Sequence, residues 1–179
     1  LATNARGPVA LFLYFERGVC GPLFTSKPIA LMRKTGHQLT GIAAGLLSTS
    51  PADPLQLTTV IVAGWAGGMA PDLLEVPLGS RRLIPHRRVT HWTLGWAGCF
   101  LFSGMLYRER PWDIVLATGL AFCAGALSHC LADLPNPHGV PLLHPWERTS
   151  LKWWPSGRHD YKISLALLVL AVWSILPAL

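Results

Sequence analysis

Histidine and carboxylate side chains recur in separate stretches of this chain at spacings that suit a metal site. The stretch SHCLAD places His129 and Asp133 four residues apart, on one face of a helix. An ionisable pair inside an apolar segment is costly and therefore marks a functional site, and imidazole with carboxylate suits Zn²⁺ or a similar divalent ion. The alternative is a buried hydrogen-bonded pair that only fixes helix packing.

A second stretch, GGMAPDLLE, ends an apolar segment with two carboxylates, Asp72 and Glu75. A continuing helical turn would bring them together, because residues three apart are neighbours on a helix. We predict that Asp72 is a metal ligand and that Asp72 or Glu75 is the catalytic base that accepts a proton from metal-bound water. The alternative for both is a solvated helix end.

Two histidines and two arginines occur where the next apolar stretch begins, in PHRRVTH. His86 and His91 are predicted metal ligands. Arg87 and Arg88 are predicted to bind an anionic part of the substrate, because guanidinium groups bind phosphate oxygens well. The two arginines also suit a membrane-topology signal, and the two roles are compatible.

Two further histidines complete the predicted site. His37 opens an early apolar piece, and His138 lies in the Pro/Gly-rich loop directly after Asp133, with His144 as its rival in the same loop. The predicted metal ligands are therefore His37, Asp72, His86, His91, His129, Asp133 and His138.

The elements that position these residues are apolar blocks. The chain has 179 residues and is only 13% charged, whereas soluble domains carry about 25%. Four blocks approach the roughly 20 residues that a membrane crossing needs, and a fifth, 37–49, is too short. We predict an all-α integral membrane helical bundle of about four spans plus one short N-terminal helix. The four predicted spans are 56–71, 88–107, 113–134 and 162–179.

The beginning of the chain is set apart from this bundle. Residue 1 is Leu, whereas Met32 opens MRKTGHQLTG, which is typical of a natural start. We expect residues 1–31 to be an N-terminal extension that is processed, mis-assigned or peripheral, with Met32 as the true start, and residues 32–179 to form one membrane domain.

Threading the chain through the predicted helices places its basic residues on one side. Of the 15 Lys and Arg residues, 13 reach that side, and all seven histidines reach it as well. The positive-inside rule makes this side cytoplasmic. Histidines from several helices therefore collect at one end of the bundle, which favours a shared site there.

These motifs, in this order, resemble the membrane-bound metal-dependent hydrolase family, whose members are also described as LexA-binding, inner-membrane-associated hydrolases. The resemblance covers about Met32 to Leu179. It rests on His37 before a Gly-rich helix, PD at 71–72, HRxxTH at 86–91 and SHCLAD…HGVPLLHP at 128–145. Glu75 departs from the pattern, because the family commonly has a second Asp closer to the first.

The resemblance implies a bacterial inner-membrane enzyme with a divalent metal site. The order of the ligands is also similar, less closely, to zinc-dependent phospholipase C and the related single-strand nucleases, which hydrolyse phosphodiesters at multinuclear zinc sites. By that analogy the metal ligands would be His37, Asp72, His86, His129 and Asp133, with His138 or His144 as a further candidate.

The function that we expect is a membrane-embedded, metal-dependent hydrolase, with zinc as the metal, acting on a phosphoester or ester at the cytoplasmic face. Membrane lipids are its expected surroundings, and a lipid-linked phosphoester is the natural substrate at a bilayer surface. The alternative is a non-catalytic membrane partner with a structural metal or polar cluster, whose basic face docks a protein regulator. A weaker third alternative is a proton-relay transporter. No nucleic-acid partner is expected, because the basic residues come without a nucleic-acid motif.

Overall fold

A computed structural model describes residues 28–75, 77–78, 81–82, 87–154 and 158–176. Within these residues the fold is all-α apart from one hairpin of two-residue strands, β1 (Pro77–Leu78) and β2 (Arg81–Arg82), and a 3₁₀ turn at Val89–His91. The predicted all-α class is therefore confirmed for this part of the chain. The helices are α1 (Pro28–Ser48), α2 (Pro54–Gly67), α3 (Ala70–Leu73), α4 (Thr93–Glu109), α5 (Ile114–Asp133) and α6 (Asp160–Ile175).

Helix α5 is the centre of the bundle and packs against α1, α2 and α4, while α6 packs on the outer side of α1. The buried face of α5 consists largely of small residues, including Ala117, Ala121, Ala124 and Gly125. Small side chains let helix backbones approach closely, so van der Waals contact replaces the hydrophobic effect that membrane helices lack.

A close backbone contact joins α1, α2 and α5 through three glycines. A Cβ atom added to Gly41 of α1 would lie 2.3 Å from the carbonyl oxygen of Gly64 in α2, and one added to Gly125 of α5 would lie 2.4 Å from the same oxygen. No larger residue fits at these contacts without displacing backbone. The packing of the three helices therefore requires glycine here.

At the end of the bundle where α2 and α5 begin, side-chain caps and one hydrogen bond between two turns hold the helices in place. The Asp53 side chain accepts a hydrogen bond from the Gln56 amide at 2.9 Å, and the Asp113 side chain does so from the Val115 amide at 2.9 Å. These N-caps satisfy amides that a helix leaves unpaired at its start. The Gln56 side chain then donates to the Pro111 carbonyl at 3.0 Å, which ties the two turns together.

The predicted number of spans is not confirmed. Among the described helices only α5, with 20 residues, is long and apolar enough to cross a membrane. The block predicted at 56–71 divides into α2 and α3, because the helix ends at Gly67 and restarts with Pro71 in its first turn, where a missing N–H costs nothing.

The N-terminal helix is longer than predicted. Helix α1 has 21 residues, so the short helix expected at 37–49 extends backwards to Pro28. Nearly all of the predicted extension, residues 1–27, lies outside the described residues, and its separate status stays a prediction.

The glycine contact makes a prediction about stability. Gly41→Ala should lower the free energy of unfolding by about 1–3 kcal/mol, because its Cβ overlaps backbone that cannot move independently. This loss should exceed the helix-propensity gain of up to about 1 kcal/mol. Gly98→Ala on α4 is the matched control, since a Cβ there meets nothing within 4 Å. Unfolding in detergent micelles measures both variants, and equal stability would contradict the packing argument.

Candidate metal centre

Five ionisable side chains meet at the end of the bundle where α2 and α5 finish. They come from α1, α3, the 3₁₀ turn and α5, so distant parts of the sequence converge there. They form two overlapping groups that could hold a metal ion, and in each group the ligand atoms lie within 4.8 Å of one another. The groups are His37, His129 and Asp133, and Asp72, His91 and His129.

His129 is the residue that the two groups share. Its Nδ1 lies 2.7 Å from the Gly68 carbonyl oxygen, which can only accept a hydrogen bond. The neutral ring therefore carries its hydrogen on Nδ1, which leaves a lone pair on Nε2. That Nε2 lies 3.3 Å from His91 Nε2 and 3.9 Å from an oxygen of each of Asp72 and Asp133. One nitrogen offers one lone pair, so the two groups describe a single ion position with alternative ligands.

His91 is also fully buried, and a carboxylate oxygen lies beside its Nδ1. Its Nδ1 lies 3.2 Å from Glu75 Oε1 and 3.1 Å from the Thr90 hydroxyl. Its Nε2 faces Asp72 Oδ1 at 3.3 Å. A carboxylate behind an imidazole is the usual arrangement around protein metals, because it fixes the tautomer and raises the basicity of the ligand.

Glu75 thus lies behind His91. It is buried, and its Oε1 also accepts hydrogen bonds from the Arg87 amide at 2.7 Å and the Thr90 hydroxyl at 3.3 Å. This position favours an orienting role for Glu75 over the catalytic role predicted from the sequence.

Asp133 is paired on both of its oxygens. Oδ2 accepts from Arg87 Nη2 at 2.7 Å, and Oδ1 accepts from Asn136 Nδ2 at 2.7 Å, with His37 Nε2 at 3.7 Å. Arg87 adopts a left-handed backbone conformation, with φ of 55°, and such strain persists where surrounding contacts over-determine it. Its Nη1 also donates to the Gly139 carbonyl at 3.3 Å, so the loop after α5 is bound to the cluster.

Asp72, a member of the cluster, lines a cavity of about 160 Å³ together with Lys34, Met69 and Leu73. Burial by itself would raise the pKa of this carboxyl, but the hydrogen bond with His91 and the electrostatic interaction with the neighbouring imidazoles hold the pKa well below its usual value. Asp72 is therefore ionised at neutral pH, as a metal ligand must be.

The donor set fits a divalent ion. His37 stacks on His129 with ring centroids 4.1 Å apart, and its buried Nδ1 has no hydrogen-bond partner among the described residues. An unpaired buried nitrogen costs free energy that a bound ion would offset. Three imidazoles and two carboxylates match the ligands that Zn²⁺ takes in proteins.

The other predicted site residues are placed differently. His86 lies outside the described residues. His138 is exposed and belongs to neither metal group. Arg88 is partly buried next to Arg87, but in the described part of the chain its side chain joins none of the cluster contacts given above.

Sequence reasoning missed three residues that support the cluster: Gly68, Thr90 and Asn136. Asn136 follows Asp133 by three residues, and Thr90 directly precedes His91, so both lie in motifs that the sequence singled out. The Gly68 carbonyl carried no signal, because backbone acceptors leave no trace in residue type.

The two neighbouring arginines should behave differently. Arg87→Ala leaves the buried Asp133 carboxylate without its cation, which should cost about 3 kcal/mol of the free energy of unfolding. Arg88→Ala should cost less than about 1 kcal/mol. Denaturation in mixed micelles compares the two variants, and equal losses would show that the Arg87–Asp133 pair is unimportant.

Removing the charge behind His91 should weaken the metal site without removing a ligand. Glu75→Gln is expected to lower the affinity for Zn²⁺ by about 10- to 100-fold, because a neutral amide no longer strengthens the imidazole as a donor. The exposed Glu147→Gln variant is the matched control. Competition with a chromophoric chelator measures both affinities, and an unchanged value for Glu75→Gln would contradict the orienting role.

Comparison with known protein families matches residues 32–178 to the family described as YdjM inner membrane protein. The match includes every residue of the cluster. No curated protein and no solved structure matches the chain. The family description names the inner membrane and no activity, so the predicted membrane location is confirmed at the level of the family. The chain belongs to the YdjM inner membrane protein family.

Proposed function

We propose that this protein is a metal-dependent hydrolase of the inner membrane that cleaves a phosphoester or ester bond at the cytoplasmic face. The observation that carries the proposal is the position of His129 Nε2, which lies 3.3 Å from His91 Nε2 and 3.9 Å from an oxygen of each of Asp72 and Asp133, beside a cavity. A catalytic metal site needs protein ligands on one side and an open position on the other. The cavity bordered by Asp72 supplies the open side.

Zn²⁺ is the preferred ion, because imidazole nitrogens with carboxylates are its usual hydrolytic ligands. Bound there, it would supply a water of lowered pKa and a Lewis acid for the scissile group. His129 would hold it, together with either Asp72 and His91 or His37 and Asp133, the two groups that share His129.

The remaining steps fall to residues of the chain. Asp72 is half exposed and lines the cavity, so of the two predicted bases it is the one within reach of water there. It accepts the proton as the water oxygen forms a bond to phosphorus or carbonyl carbon. The leaving oxygen departs with its electron pair and takes up a proton from solvent. Glu75 contributes through His91, which it holds in one tautomer.

An anionic substrate suits the charge around the cavity. The Lys34 side chain lines the opening, and the Arg87 guanidinium lies behind Asp133. We propose Lys34 as the residue that attracts a phosphate group, in addition to Arg87 and Arg88, for which the sequence predicted this role.

The outer surface favours a lipid environment for more helices than α5. Large apolar side chains are exposed on α4 and α6, among them Phe102, Met105, Val169 and Trp173. Contiguous apolar surface of this kind is unfavourable in water and natural in hydrocarbon. We propose that α2, α4 and α6 lie in the bilayer beside α5, with the cluster at the cytoplasmic end where most basic residues lie.

The decisive test combines metal content with turnover. Purified wild-type protein should contain a stoichiometric divalent metal and hydrolyse phosphoesters in a screen, and a chelator should abolish the activity. His129→Ala should lose both metal and activity, whereas the exposed His138→Ala should keep both.

Two results would count against this proposal. A folded wild-type protein without metal would show that a shared proton, and no ion, joins His91 and His129. Retained metal without turnover on any phosphoester or ester would favour a non-catalytic membrane partner with a structural metal cluster.

A further inference from the structure

A second and larger cavity, of about 320 Å³, lies between α1, α5 and α6 beside the cluster. Leu131 and Ala132 of α5 form one wall, Ile163 and Leu167 of α6 form another, and Trp154 also lines the cavity. Its volume is within the range of small-molecule sites, about 300–1,000 Å³. The proposed hydrolase mechanism gives this space no role.

The hydroxyl groups that line this cavity are already hydrogen-bonded, and the charged residue in its lining is Asp160. The Thr40 and Ser164 hydroxyl oxygens lie 2.7 Å apart. The Thr40 hydroxyl also lies 2.9 Å from the Gly36 carbonyl oxygen, and the Ser164 hydroxyl lies 2.6 Å from the Asp160 carbonyl oxygen and 2.9 Å from that of Gly36, so each has an acceptor within reach. The Ser128 hydroxyl donates to the Gly125 carbonyl at 2.7 Å. A water molecule needs two to four polar partners to be held in a cavity. This lining therefore favours a hydrocarbon occupant over water.

His37 joins this apolar cavity to the metal cluster. Its side chain lines both the 320 Å³ cavity and the 160 Å³ cavity that Asp72 and Lys34 border. One imidazole thus lies between a mainly apolar cavity and the cavity that Asp72, His129 and the Lys34 side chain border. A molecule with an anionic head and a hydrocarbon tail has the chemistry of both spaces in the same order.

We propose that the 320 Å³ cavity binds the hydrocarbon chain of an amphiphilic substrate whose phosphate-bearing head reaches the cluster past His37. The inference rests on the proposed hydrolase function and specifies its substrate class. The hydrocarbon chain of the substrate adds binding free energy through buried apolar area, about 0.8 kcal/mol for each CH₂ group. Lys34 and the metal position hold the head.

The test compares substrates that share one scissile bond. Wild-type protein in detergent is assayed on p-nitrophenyl methyl phosphate and p-nitrophenyl dodecyl phosphate, and kcat/KM should be at least about 10-fold higher for the dodecyl ester. Ala132→Phe fills the cavity and should bring the ratio close to one. Gly119→Phe is the matched control on the same helix, because a Cβ at Gly119 meets nothing within 4 Å, and it should keep the wild-type ratio.

A second measurement is independent of turnover. Lysophosphatidic acid with a diazirine at the end of its acyl chain is photolysed with each protein, and labelled peptides are identified by mass spectrometry. Label should fall on the segments 36–40, 128–135 and 160–167 in wild type and in Gly119→Phe, and should be lost in Ala132→Phe.

The two measurements separate the two proposals. Two results together would overturn the proposed binding of the hydrocarbon chain in the 320 Å³ cavity while the hydrolase function stands. They are equal kcat/KM for both esters, and label that is absent from these segments or unchanged by Ala132→Phe. If the label is present in wild type and lost in Ala132→Phe, but neither ester is hydrolysed, the result would support binding of the hydrocarbon chain in this cavity and count against the hydrolase function.

Discussion

The contact between Gly41, Gly64 and Gly125 is the constraint on which the rest of the structure depends. Two cluster residues and the carbonyl that holds one of them lie one helical turn from these glycines: His37 precedes Gly41 by four residues, and Gly68 and His129 follow Gly64 and Gly125 by four. A fixed contact one turn away sets both the height and the rotation of each group. The hydrogen bond of 2.7 Å from His129 to the Gly68 carbonyl exists because these backbones touch.

That hydrogen bond links the packing of the helices to the protonation of His129. It settles which nitrogen of His129 carries hydrogen, and the remaining lone pair then faces another imidazole and two carboxylates. Without a cation between them these lone pairs would repel one another, so the arrangement calls for either a proton or a metal ion. Glu75 is placed to accept the Nδ1 hydrogen of His91, and in that tautomer His91 presents a lone pair at Nε2 to the proposed ion.

The sequence predicted the convergence of the cluster better than its boundaries or inner workings. Residue type and spacing were sufficient to select His37, Asp72, His91, His129 and Asp133, because charged groups at the ends of apolar blocks have few reasons to be there. The same reasoning placed His138 among the ligands, yet this loop residue is exposed, and nothing in its spacing distinguishes a buried from an exposed loop histidine. The length of α1 and the break between α2 and α3 depend on tertiary packing, which hydropathy does not record.

The position of the cluster follows from the hydrogen-bonding limits of packed helices. A carboxylate such as Asp133 can be buried only where enough donors reach it, and regular helices have no spare amides or carbonyls in their interiors. The end of the bundle supplies such partners: the Arg87 guanidinium and the Asn136 side-chain amide donate to Asp133, and the Gly68 carbonyl beyond α2 accepts from His129. Farther along the same helices the hydroxyls of Thr40 and Ser164 bond to backbone, and the lining is apolar. The surroundings of His37 thus change from polar at the cluster to mainly apolar about one helical turn away, which is the order of groups that the proposed amphiphilic substrate requires.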